Sequence, residues 1–152
     1  MAHPTTSNPK NVWAPPETFQ HVAITPIFPT TKLVTLAGQV GIKSGFDDIP
    51  EKLTDQVKIA HENVHKCLQS VGASPRDIIH ARHYIVQNTG NPKLDDKELP
   101  HRGWSPLWNE FLNKNADGHR PPDTVVGVAS LAKKELLYEI EVWAVINAQP
   151  DS

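Results

Sequence analysis

The stretch EKLTDQVKIAHENVHKCLQSVGASPRDIIHARHYIV (residues 51–86) decides the fold. Over residues 51–71, Leu53, Val57, Ala60, Val64, Cys67, Leu68 and Val71 recur at steps of three and four. That spacing puts them on one stripe of an amphipathic helix. Gly72 supplies the stop, because glycine accepts the left-handed conformation that closes a helix. Ser74, Pro75, Arg76 and Asp77 then make a turn, and residues 78–86 are rich in the β-branched and aromatic side chains that suit a strand.

Working outward, the upstream chain holds three extended pieces, residues 21–24, 33–37 and 39–42. They are stopped by Thr25-Pro26, by Gly38 and by a turn-rich run over 43–50. Residues 1–18 carry Pro4, Pro9, Pro15 and Pro16 among small polar residues and read as a flexible extended arm, with Trp13 as its anchor on the body or a neighbouring subunit. Residues 19–148 are the domain proper. Downstream, residues 88–102 hold Gly90, Pro92 and Pro100 without periodicity and read as a long loop. Residues 104–115 predict a second helix with Leu107, Trp108, Phe111 and Leu112 on one side. Residues 124–131 and 136–146 predict two closing strands. The order strands, helix, strand, helix, strands is that of an α+β domain.

A chain of 152 residues with 38% hydrophobic and 21% charged residues buries one ordinary core. The formal charge of −2, with Lys133-Lys134 as the only adjacent basic pair, speaks against a nucleic-acid or membrane partner. The lone Cys67 excludes an internal disulfide and reads as a small core residue. Met1-Ala2-His3-Pro4 lacks the basic and apolar regions of a secretory signal, and no apolar run approaches membrane-spanning length. A cytoplasmic location is expected.

Residues 61–65 spell HExxH on the first helix, a spacing at which two histidines can share a zinc ion. A catalytic zinc needs a third protein ligand, and none follows at the usual distance, so no metal is expected and both histidines read as partly exposed. Tyr138-Glu139-Ile140-Glu141-Val142 alternates, with Glu139 and Glu141 on one face of a strand beside Leu137 and Trp143. Two carboxylates there require either a solvated face or a polar cavity. Asp123, stiffened by Pro121 and Pro122 at a strand's first position, reads as facing a cleft.

Five stretches together resemble the RidA/YjgF family, also called the endoribonuclease L-PSP family. They are Val34 to Val40, Glu62-Asn63-Val64, Gly72 to Ile78, Trp108-Asn109-Glu110-Phe111, and Arg120-Pro121-Pro122 through Val142. The resemblance implies a chorismate-mutase-like fold, with two helices packed on one face of a mixed sheet. It also implies a barrel-like homotrimer with a small-molecule site in each inter-subunit cleft. Family members hydrolyse enamines and imines without a cofactor, using an arginine for the substrate carboxylate, a glutamate for water and a lining tyrosine. Here the glutamate matches Glu139, but the arginine position holds Asp123 and the tyrosine position Ile27. The reading is therefore an enzyme of enamine, imine or enol chemistry, with Asp123 and Glu139 as an acid–base pair. Arg120, Ile27, Ala37, Gly38, Trp104, His119 and His101 would shape its pocket. The alternatives are an imino-acid deaminase in which Arg120 replaces the missing arginine, and a ligand-binding or chaperone-like trimer without catalysis. Ribonuclease activity is the weakest reading, because no basic groove is visible.

Overall fold

The computed structural model describes residues 2–147, so Met1 of the expected arm and residue 148 of the expected domain lie outside it. In chain order the elements are β1 (Thr5–Ser7), β2 (Val22–Ile24), β3 (Thr31–Thr35), β4 (Gln39–Val40) and α1 (Leu53–Ser70), followed by β5 (Ile78–Val86). Then come the single turn α2 (Pro92–Asp95), α3 (Trp104–Asn115), β6 (Asp123–Val128) and β7 (Tyr138–Asn147).

The helix stripe forms as the spacing requires. Val57, Ala60, Val64 and Leu68 are completely buried against the sheet, and Leu53 nearly so. Burying a valine or leucine side chain stabilises by about 1.5–3 kcal/mol. Cys67 sits on the shoulder of the stripe, half-buried, and Val71 falls outside it because the helix has already ended. Gly72 has φ of 76°, and its N–H donates to the Gln69 carbonyl while that of Ala73 donates to Leu68. Two such bonds around a left-handed glycine are the Schellman closure. Ser74 and Asp77 then form a reciprocal capping box on a short 3-10 turn, Pro75–Asp77, that leads into β5.

Five strands form one mixed sheet in the order β3-β7-β5-β6, with β4 also paired to β7. β5 and β6 are parallel and the other pairs antiparallel. α1 and α3 cover one face, where Ile78, Ala81, Ile85, Tyr138, Ile140, Val142 and Ala144 meet Trp104, Trp108 and Leu112. Gln56, a polar residue inside the helix stripe, ties this layer to the loops. Its amide donates to the carbonyls of Pro50 and Glu135 at 2.8 and 2.9 Å and accepts from the Leu137 N–H at 2.8 Å.

Two expectations change. The proline-rich arm is docked rather than loose: β1 pairs with β2, Pro4 is buried, and Arg76 donates to the Pro4 carbonyl. His3 bonds Asp77 at 2.9 Å, so the capping carboxylate also fastens the arm. Residues 88–102 are not a plain loop either. Asp95 accepts from the Thr89 side chain and the Thr89 and Gly90 backbones. The buried Arg102 donates to the carbonyls of Val86, Gln87 and Lys97. Among the described residues no helix is long and apolar enough to cross a membrane.

Candidate functional site

Among the described residues, the second face of the sheet carries no helix. Strand alternation and register place Glu139, Glu141 and Trp143 of β7 there, beside Tyr84, Arg82 and His80 of β5. Thr124 of β6 adjoins Arg82. Leu33 and Trp143 are 60% and 42% exposed on this side. Glu139 stands between Val40 of β4 and Tyr84. Its carboxylate lies directly over Gly38, where any Cβ would overlap it, so this close approach requires glycine. Burial, then the neighbouring Glu141, raises the proton affinity of Glu139 above the ordinary carboxylate value. Glu141 instead accepts from Arg82 Nη1 at 2.7 Å. His80 is held below its ordinary pKa, first by burial and then by Arg82. The resulting face offers one half-buried carboxylate that retains its proton more readily, one ion pair and two aromatic side chains.

Asp123 does not join Glu139. It pairs laterally with Ala81, whereas Glu139 pairs with Tyr84, three residues along the same strand and therefore on the opposite side. The Asp123 side chain is only 2% exposed and points under the helices, where His83 Nε2 lies 3.1 Å from its carboxylate. The expected acid–base pair is thus divided by the sheet itself. Asp123 belongs instead to a buried chain: His83 Nδ1 lies 2.8 Å from the Tyr138 hydroxyl, which lies 3.0 Å from His61 Nε2. Burial, then Asp123, keeps the Tyr138 phenol protonated well beyond its usual range. Burial, then His83, lowers His61 to a pKa of about 3. His61 is therefore an interior neutral imidazole, not a partly exposed one, and its Nε2 is engaged by Tyr138.

The other expected pocket residues are dispersed. Arg120 donates to the Glu17 carbonyl, the His119 carbonyl and Asn113 Oδ1, clamping the arm to the end of α3. Trp104 is buried, its ring tilted against His83 with centroids 4.4 Å apart, and its indole N–H donates to the Leu99 carbonyl. His119 is buried and bonded to the Ile78 carbonyl at 2.7 Å, and burial lowers its pKa. His101 lies at the surface beside Glu98, and Ile27 is 80% exposed. Gly38 does border Glu139, in the connection from β3 to β4 that also holds Ala37, whose carbonyl accepts from the Gln39 side chain. Arg82, Tyr84 and His80 were missed. The period-two alternation of residues 80–84 places them together on one face, but only the register with β7 makes that the face of Glu139.

The endoribonuclease L-PSP family model matches residues 14–146. No curated protein matches the sequence. Among solved structures, a protein of unknown function of the conserved Rid family, YyfB from Yersinia pestis, superposes with a TM-score of 0.78 at 22% identity. It covers 95% of this chain and 99% of its own. TdcF from E. coli with bound serine gives 0.63 at 22% identity, covering 88% and 97%. The YjgF gene product of E. coli gives 0.61 at 20% identity, covering 87% and 96%. At these identities the superpositions speak to the fold.

Proposed function

Since the chain belongs to the RidA/YjgF (endoribonuclease L-PSP) family, we propose that its open sheet face hydrolyses the C=N bond of a small imine or enamine, with Glu139 as the proton-moving group. The single observation that carries this reading is the half-buried Glu139 carboxylate over Gly38, whose proton affinity is raised. A carboxyl of that kind can protonate an enamine carbon or imine nitrogen and then, as carboxylate, orient water toward the cationic carbon. Water adds across C=N to give a carbinolamine, and loss of the amine from that carbon leaves the carbonyl product. No step requires a redox partner.

The same face argues for the substrate's charge. Arg82 is its guanidinium among the described residues, and Glu141 already holds it. A substrate carboxylate must therefore compete with Glu141 for Arg82, while a cationic iminium meets two acidic side chains. Imines without a carboxylate are the favoured class. The deaminase reading through Arg120 loses its support, because that side chain is spent on the arm. A homotrimer that places a second subunit over this face is part of the proposal, supported by the exposure of Leu33 and Trp143 beside the carboxylates.

The test compares a cyclic imine lacking a carboxylate with 2-aminoacrylate generated in the assay. The unaltered protein should hydrolyse the first faster, and Glu139→Gln should lower that rate by roughly 10²–10⁴-fold. Glu141→Gln, which releases Arg82, should improve turnover of 2-aminoacrylate. Full activity in Glu139→Gln refutes the role of Glu139, and a preference for 2-aminoacrylate in the unaltered protein refutes the substrate class.

A further inference from the structure

The HExxH string is unused by the open face, yet His61 ends the buried chain that begins at Asp123. On the helix side of the sheet, α1 and α3 enclose a groove of about 280 Å³, lined by Lys58, His61, His65, Glu110, Phe111 and Lys114. That volume approaches the lower end of the range for small-molecule sites. The rings of His61 and Phe111 lie 5.2 Å apart, and His65 stands edge-on to Phe111 at 6.1 Å. An aromatic surface therefore borders a nitrogen-bearing ring and two ammonium groups.

One tautomer of the chain gives every donor an acceptor. In it His83 donates to the Asp123 carboxylate through Nε2–H and accepts at Nδ1. The Tyr138 hydroxyl donates to that Nδ1, and its oxygen accepts from His61 Nε2–H. Nδ1 of His61 is then left as a bare acceptor on a ring that lines the groove.

We propose that the α1–α3 groove is a second ligand site, for a small planar molecule with an acidic hydroxyl such as a phenol or an enol. In it Nδ1 of His61 accepts the hydroxyl proton, and the His61–Tyr138–His83–Asp123 chain relays it inward. The transfer balances. The ligand O–H proton goes to His61 Nδ1 and the His61 Nε2 proton to the Tyr138 oxygen. The Tyr138 proton goes to His83 Nδ1, and the His83 Nε2 proton to the Asp123 carboxylate. Both imidazoles and the phenol end neutral, and one negative charge has moved from Asp123 to the ligand. Lys58 and Lys114 line the groove and stabilise the ligand anion that results. Glu62 and Glu110 also line the groove and limit the ligand to a single negative charge. The site is on the opposite side of the sheet from Glu139 and does not depend on the reading of that face.

4-Nitrophenol is a direct probe, because its visible absorption distinguishes phenol from phenolate. Titrated into the full-length protein at a pH where the free probe is mostly protonated, it should give a saturable phenolate band. His61→Phe should weaken binding by about tenfold or more, roughly the worth of one strong hydrogen bond. Tyr138→Phe should retain binding, read by equilibrium dialysis, while losing the phenolate band. The unaltered protein gives an independent readout: the ¹⁵N resonance of His61 Nδ1 should move from a bare to a protonated position as the groove fills. Absence of a saturable band, an equal band in folded His61→Phe or Tyr138→Phe, or an unmoved Nδ1 resonance at saturation would each overturn the proposal.

Discussion

His61 shows how one side chain can set the acid limit of a fold. Its usual value is 6.5 and its folded value about 3, so the native state refuses a proton that the unfolded chain accepts. A depressed folded pKa means that the stabilising contribution is complete above pH 6.5 and is lost progressively as pH falls toward 3. Within that window the unfolded chain takes up a proton that the native state does not, so this residue works against the fold as the pH falls. Urea midpoints of the unaltered protein should therefore fall steeply below pH 6, and the slope should flatten in His61→Phe. An identical slope in the variant would mean that other groups govern acid unfolding. At this scale the sequence was legible only in part. Glu139 was recognisable from alternation and resemblance, and Gly38 from its place in the matching stretch. The burial of His61 was not recognisable, because a position on the shoulder of the stripe is covered only by what packs on it, here the rings of Trp108, Phe111 and Tyr138.

Among the elements, α1 shows that a polar residue can bind layers together as firmly as an apolar one. Gln56→Leu would leave the carbonyls of Pro50 and Glu135 and the N–H of Leu137 without their partner. A buried group left unsatisfied costs about 1–3 kcal/mol, and the variant should lose about 3 kcal/mol in urea unfolding. A loss below about 0.5 kcal/mol would show that water replaces the amide. The bounds of β5 and α3 coincide with those read from residues 78–86 and 104–115. Both segments have strong periodicity and clear stops. β1 was not legible, because the prolines around Thr5–Ser7 conceal a strand that owes its pairing to Val22–Ile24. The stapling of residues 88–102 by Arg102 was equally hidden, since a buried arginine looks like any surface charge until its three carbonyls are brought to it. Asp123 failed for a related reason. Alternation gives the parity of a strand, whereas the face it shares with another strand depends on a register that no local pattern contains.

Across the whole molecule, the unequal treatment of the two sheet faces is the dominant fact. One face is sealed by α1 and α3, and the other bears exposed Leu33 and Trp143 beside an ion pair and Glu139. A trimer should therefore be the species in solution, and light scattering at micromolar concentration should give three times the chain mass. A stable monomer would remove the inter-subunit cleft from the proposed function. The sheet's strand order has a consequence for biosynthesis. β7, which pairs with β3, β4 and β5, comes last of the described strands in chain order, and Asn147 at its end bonds the carbonyls of Ala2 and Pro26. A nascent chain can form α1 and join β5 to β6, but its middle strand is missing until translation of the domain is nearly complete. Ala2 and Pro26 must wait for Asn147, and until then the edges of β3 and β5 remain open to chaperones or to a neighbouring nascent chain.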